Sequence, residues 1–312
     1  LLTPAFCIGP AAAASAPADE EAMVEQQTAA RPQRVVVGAL LMVAATFCFV
    51  SLDSILKALA ARHDVLFLAW GRNLFQMLYL MALMPFVGVR RMVVTRHPVV
   101  HALRGLLLVV TTVFVVLSLK VMPMAQTYAI TFSTPLIATI LAAIFLKEPV
   151  SGQRWFWILA GFAGVMFALQ PQAPSAGLYL ALPLVMAFAN AIFHVLTRSI
   201  AADEDPLAML FLVAAAAMAI TGLFLPWSWS SMTSPEWGLL AIGGLFGTMA
   251  HLLLVLAFRL APTSVVSPMI YSQIVAACVL GYLVFGEVPT ASTLVGACIV
   301  VISGVALIRS KR

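Results

Sequence analysis

The chain has 312 residues, of which 63% are hydrophobic and only 9% charged, with a formal charge of +5 and a mean hydropathy of +1.06. A soluble domain carries about a quarter charged residues, so the composition argues against a soluble enzyme. Nucleic-acid binding is disfavoured too, because the basic residues are scattered rather than gathered on one face. What remains is an all-α integral membrane protein.

The first 34 residues, LLTPAFCIGPAAAASAPADEEAMVEQQTAARPQR, are rich in Ala, Pro and acidic side chains and lack the basic start of a signal peptide. They are expected to form a disordered cytoplasmic tail, and Met23 is a candidate native start. Ten apolar runs follow, each near the roughly 20 residues that cross about 30 Å of hydrocarbon. They lie near 35–59, 66–86, 101–121, 125–146, 155–170, 176–197, 207–227, 237–258, 264–285 and 290–308. Connections are short apart from the basic segment 87–100, so function is expected among the helices.

An ionisable side chain inside a span is costly and is a functional candidate. Asp53 in SLDSILK and Arg72 in AWGRN each lie six residues from the outer end of a span, a depth of about 9 Å. Two readings are open for them. Asp53 and Arg72 pair between helices, and Arg72 offers its remaining donors to a substrate carboxylate; or Arg72 snorkels outward while Asp53 bonds Lys57 one turn on.

In the fourth span Thr127, Thr131, Thr134 and Ala138 recur at helical spacing beside Tyr128, and in the ninth Ser264, Ser267 and Tyr271 recur beside Ser272 and Gln273. Such faces either pack helices closely or line a polar cavity with aromatic walls. Pro135 and Pro268 interrupt the same two spans. Asn190, His194 and His251 stand in the sixth and eighth spans, where the histidines either hydrogen-bond between helices or couple transport to protons. Gly243, Gly244, Gly247, Gly296 and Gly304 read as packing or bending positions, and Trp227, Trp229 and Trp237 as an interfacial belt. Cys7, Cys48, Cys278 and Cys298 form no close-set pair, so no metal site or disulfide framework is expected.

The chain also repeats itself. Residues 118–148, SLKVMPMAQTYAITFSTPLIATILAAIFLKE, overlie 257–287, AFRLAPTSVVSPMIYSQIVAACVLGYLVFGE, at a constant offset of 139, which matches Pro123 to Pro262, Ser133 to Ser272 and Glu148 to Glu287. Asp64 before the second span meets Asp205 before the seventh at nearly the same offset. Two halves result, 35–171 and 172–312, each with five spans. Five is odd, so the halves lie inverted in the membrane, the signature of many secondary transporters. Glu148 and Glu287 mark the repeat. Each precedes a helix whose N-terminus favours an anion within a turn opened by proline, and gating or proton coupling is the alternative role.

Of 17 lysines and arginines, 13 fall on the inner side if the N-terminus is inside, against Lys57, Arg62 and Lys120 outside and Arg72 within a span. The asymmetry places both termini in the cytoplasm, and the expected location is the plasma (inner) membrane.

KVMPMAQTYAITFSTPLIATILAAIFLKEPVS and its echo RLAPTSVVSPMIYSQIVAACVLGYLVFGEVPT, each followed by a helix containing Gly-Val, resemble the two EamA repeats of the drug/metabolite transporter superfamily. The resemblance covers about 35–309. It implies ten spans, both termini inside and a central cavity flanked by the fourth and ninth spans. Arg104-Gly105 at the start of the third span is similar to the branch that carries amino acids and S-adenosylmethionine. The resemblance leads to a secondary carrier of a small organic metabolite, with export of amino acids or related metabolites first and uptake of S-adenosylmethionine second. Neither HExxH nor GxSxG occurs, nor a P-loop. No enzymatic activity, cofactor, metal, nucleic acid or ATPase subunit is therefore expected, and the partners are a small-molecule substrate and membrane lipid.

Overall fold

The computed structural model describes residues 16–134, 136–137, 140–141, 151–169, 177–200, 203–260 and 269–309. Helices dominate, as they must where no water is available to satisfy the backbone. They are α1 (Ala16–Ala60), α2 (Val65–Val87), α3 (Pro98–Val121), α4 (Met124–Thr131), α5 (Gly152–Leu169), α6 (Gly177–Ile200), α7 (Pro206–Gly222), α8 (Ser234–Leu260), α9 (Ser272–Phe285) and α10 (Ala291–Arg309), with short turns of helix at Val89–Val93 and Leu225–Ser228. Among the described residues, Arg34–Ala60, Val65–Val87, Pro98–Val121 and Ser234–Ala257 are long and apolar enough to cross a membrane. Shorter apolar helices cover Trp155–Ala168, Ala181–Thr197, Pro206–Gly222, Ser272–Phe285 and Ala291–Ala306.

Two elements differ from the sequence expectation. Residues 16–34, expected within a disordered tail, are helical and continuous with the first span. ADEEAMVEQQTAA is made almost wholly of strong helix formers without glycine, and an adjoining helix removes the nucleation cost. The fourth run, expected as one helix, breaks at Phe132–Ser133. Pro135 has no N–H to give the carbonyl of Thr131, four residues back. The Thr134 hydroxyl donates to that carbonyl instead, at 2.7 Å.

The two matched aspartates cap matched helices. Asp64 is the N-cap of α2, accepting from the amides of Leu66 at 2.8 Å and Phe67 at 3.3 Å. Asp205 is the N-cap of α7, accepting from Leu207 at 2.9 Å. Each meets donors that the first turn of a helix leaves without partners.

Small residues let the helices approach. A Cβ added at Gly164 of α5 would stand 3.0 Å from the Gly296 carbonyl of α10, and one at Gly296 would stand 2.6 Å from the Gly164 carbonyl. A Cβ at Gly105 would meet the Ala216 Cβ at 2.4 Å, and one at Gly244 the Phe75 Cβ at 2.5 Å. Around these contacts the largest core cluster joins Leu52 and Leu56 of α1, Val116 and Leu119 of α3, Tyr128 of α4, Met186 of α6, Leu240 of α8 and Ala277 of α9.

Candidate binding site

Polar groups in this interior concentrate where α1, α2, α3 and α4 meet. The Tyr128 hydroxyl of α4 donates a short hydrogen bond to the Asp53 carboxylate of α1, and both side chains are buried. Arg72 of α2 donates from Nη1 to the Thr112 hydroxyl of α3 at 3.1 Å, with only 5% of the residue exposed. Asp53 and Arg72 therefore do not form the ion pair that their depths suggested, although each feels the other's charge. Neither does Asp53 bond Lys57, which has a different carboxylate. Arg72 does not snorkel either.

A guanidinium has five N–H donors, and Thr112 takes one. Next to Arg72, Asn73 donates to the Ala69 carbonyl at 2.8 Å, while its Oδ1 and the Oε1 of Gln76 are buried among protein atoms without a partner. Arg72, Asn73 and Gln76 thus give α2 one buried polar stretch. The spacing Arg72-x-x-x-Gln76 was visible in GRNLFQ, but neither Gln76, Asn73 nor Thr112 was singled out from sequence.

Other candidates are distributed around this centre. His251 of α8 is half-buried, its ring edge-to-face with Phe49 at 5.0 Å. His194 of α6 is exposed and Asn190, one turn before it, half-buried. Thr131 donates to the Thr127 carbonyl at 2.8 Å and approaches the Met186 sulfur at 3.5 Å, and Thr134 also reaches the Ala187 carbonyl at 3.3 Å. These hydroxyls are occupied by backbone and by α6. Tyr271 is buried edge-to-face against Phe132 at 5.1 Å, and its hydroxyl fills the notch at Gly304, where a Cβ would stand 1.5 Å away. Gln273 is half-buried on α9, whose Ser272 exchanges a 2.7 Å hydrogen bond with Thr46 of α1. Ser267 and Glu148 lie outside the described residues.

Glu287 does not serve the helix that follows it in sequence. Gly286, at φ +67°, closes α9 in the left-handed region that favours glycine. The turn sends the Glu287 carboxylate back across the bundle, where one oxygen takes a short ion pair from Lys57 of α1 and the other accepts from the Met124 amide of α4 at 2.9 Å. The carboxylate thus meets the first amide of α4, and not the first turn of α10 that the sequence suggested. The first turn of α10 is met by Thr290, whose hydroxyl accepts from the Thr293 amide at 3.3 Å.

At the opposite end Arg104 of α3 is buried, donating from Nε to Thr197 of α6 at 3.0 Å, with its guanidinium 4.9 Å from the Phe193 ring centre. His101 shares a 3.2 Å contact with Arg104 and lies 3.8 Å from Glu204 in the α6–α7 connection. Glu204 accepts from the Thr95 hydroxyl at 2.6 Å and the Arg96 amide at 2.8 Å. Burial raises the Glu204 carboxyl, but these hydrogen bonds and His101 outweigh it and hold the carboxyl below its ordinary value.

Apolar helices packed through glycines around buried, incompletely satisfied polar side chains define a polytopic membrane transporter. The chain belongs to the EamA-like transporter family, whose model matches it twice, over 36–170 and 176–310, and so to the drug/metabolite transporters. It is 29% identical to an S-adenosylmethionine uptake transporter of Rickettsia bellii over 83% of this chain and 89% of that one. It is 26% identical to a riboflavin transporter of Rhizobium johnstonii over 93% and 96%, and 26% identical to the pseudopaline exporter CntI of Pseudomonas aeruginosa over 88% and 97%. A solved crystal structure shares the fold, with a TM-score of 0.62 at 17% identity over 87% of this chain and 96% of that one. The named relatives are transporters of small molecules, which supports small-molecule transport here.

Proposed function

We propose that the chain is a secondary carrier for a small metabolite bearing an α-amino-acid group, working by alternating access between two inverted five-helix halves. The pattern of helix neighbours supports the inverted repeat. α1 packs on α8 as α6 packs on α3, α1 on α9 as α6 on α4, and α3 on α7 as α8 on α2, while α2–α7, α4–α9 and α5–α10 map onto themselves. Adding five to each helix number exchanges or preserves these pairings between the halves, while the α4–α10 contact has no such counterpart among the described residues.

One observation carries the cargo class: a buried guanidinium with spare donors, Arg72, stands near a buried carboxylate that accepts from Tyr128, Asp53. An amino-acid group offers a carboxylate to the first and an ammonium to the second. Bidentate pairing suits arginine better than lysine. S-adenosylmethionine bears this group and a further sulfonium cation, and we rank it ahead of free amino acids because relatives named for its uptake support it. Export of amino acids, placed first from sequence, becomes the second reading, favoured by the same head group and by a relative that is an exporter. Protons enter the proposal through His194 and His251. An uptake pH profile identical in His251→Ala and wild type would remove that histidine from it.

The test is uptake of labelled S-adenosylmethionine and labelled amino acids into proteoliposomes by wild type, Arg72→Gln and Asp53→Asn. Loss of a charge-assisted hydrogen bond worth about 1.5–3 kcal/mol corresponds to a fall of roughly 10- to 100-fold in affinity. Uptake undiminished in both variants, with the protein folded, would overturn the assignment of the site.

A further inference from the structure

We infer that Lys57, Glu287 and the Met124 amide form the outer gate of the transport path, with the Asp53–Tyr128 hydrogen bond as the layer beneath it. The inference rests on the alternating-access reading but on no particular cargo.

The geometry is layered. Lys57 lies one turn beyond Asp53 on α1, and Met124 lies one turn before Tyr128 on α4. In the deeper layer α1 and α4 are joined by Asp53 and Tyr128. In the outer layer they are joined through a third party, Glu287, which follows α9 and holds Lys57 with one oxygen and the Met124 amide with the other. Ser54 lies between the layers, its hydroxyl 3.6 Å from the Met124 sulfur. The Lys57 ammonium also sits 4.8 Å from the centre of the Phe285 ring at the end of α9. Glu287 therefore ties together the ends of three helices from both halves, α1 and α4 of the first and α9 of the second.

Three features suit this arrangement to opening. The tie is a single charged side chain on a glycine-closed turn, so one side-chain movement releases both partners. Its groups lie near the outer end of the bundle, with side-chain exposures of 12% for Lys57 and 21% for Glu287, so water can take over each charge when they part. The packing beneath is small: a Cβ at Gly281 would meet the Glu287 Oε2 at 3.3 Å and the Met124 Cβ at 3.8 Å. The sequence repeats both charges. Lys57 stands seven residues before Asp64 as Arg198 stands seven before Asp205, and Glu287 is matched by Glu148. An inverted repeat supplies the same charges to the opposite face.

The test reads access from outside without any substrate. In a chain whose native cysteines are replaced, Ser54→Cys is exposed to a membrane-impermeant maleimide in right-side-out vesicles. With Lys57 and Glu287 intact the thiol is shielded. In Glu287→Gln, which keeps an acceptor for Met124 but removes the charge, and in Lys57→Gln, labelling is expected to accelerate at least about tenfold. Unchanged labelling in both variants, with melting curves showing that they fold, would overturn the gate. Should neither variant fold, spin labels at Arg62 and Val288, with the pair intact, decide it. A second, longer distance population supports reversible opening, and one short population throughout overturns it. Because no cargo is used, a failed uptake assay and a failed gate are separate results.

Discussion

Asp53 shows how much a single membrane residue can hold in place. Its carboxylate is buried and receives a hydrogen bond from Tyr128, so removing the hydroxyl leaves its desolvation offset only by the charge of Arg72. Tyr128→Phe is expected to cost about 1–3 kcal/mol of stability. Adding Asp53→Asn should then cost less than it does alone, because the two groups share one interaction. Thermal unfolding of the four chains in detergent checks this, and strictly additive losses would dissolve the pair. Glu204 makes a different prediction, through pH. Its folded value is lowered, so its stabilisation is present above the ordinary glutamate value of about 4.3 and is lost as pH falls through the lower folded value. Wild type should lose melting temperature steeply between about pH 5 and about pH 3. Glu204→Gln, which starts lower, should lose less. Equal slopes would mean that Thr95, Arg96 and His101 do not hold the charge. Of these residues, Asp53, Arg72 and Tyr128 were legible from sequence because an ionisable group or a tyrosine stands out in an apolar run. Their partners were not. Thr112 and Gln76 look like ordinary small or polar helix residues until a neighbouring helix brings a guanidinium or an apolar wall against them.

At the scale of the helix, the glycines and prolines carry the prediction. Gly164 and Gly296 each meet the other's carbonyl, so the α5–α10 contact has no room for a side chain on either strip. Gly296→Leu should separate the helices and abolish folded protein, whereas Gly238→Leu, where a Cβ would meet nothing within 4 Å, should leave the melting temperature unchanged. Size-exclusion profiles and melting curves of the two variants check it; equal behaviour would remove the packing argument. From sequence Gly296 and Gly304 read as packing or bending positions, because small residues in apolar helices have those physical uses. It did not reveal which helix each glycine receives, and Tyr271 shows why that matters. Read alone, Tyr271 is an aromatic wall; against Gly304 it is a filled notch. Thr134 is similar. On its helix it is one of a row of hydroxyls, yet its hydroxyl serves the carbonyl that Pro135 leaves open.

For the whole molecule, charge and repeat make one joint prediction about orientation. Five expected spans per half would set the halves facing opposite ways, and the excess of arginine predicts which way. The structure gathers the charged connections at two ends. At one, Arg91 pairs with Asp205 at 2.5 Å, His97 approaches Asp203 at 3.8 Å and Arg104 lies beside His101, all near the α2–α3 and α6–α7 connections. At the other stand Lys57 with Glu287, and Arg62 and His63 with Glu236. The first end carries the arginine-rich connection, and arginine and lysine set orientation while acidic residues count for little, so the partial neutralisation by Asp203, Glu204 and Asp205 should not reverse it. Alkaline phosphatase, active only outside, is therefore expected to be active when fused after Ser230 and silent after Asp203. A fluorescent protein, which matures inside, should be bright at the C-terminus. Activity after Asp203 together with silence after Ser230 would invert the molecule and place the Lys57–Glu287 pair at the cytoplasmic mouth of the path. The same charges would then close the inner side, so the fusion result decides which face the gate guards.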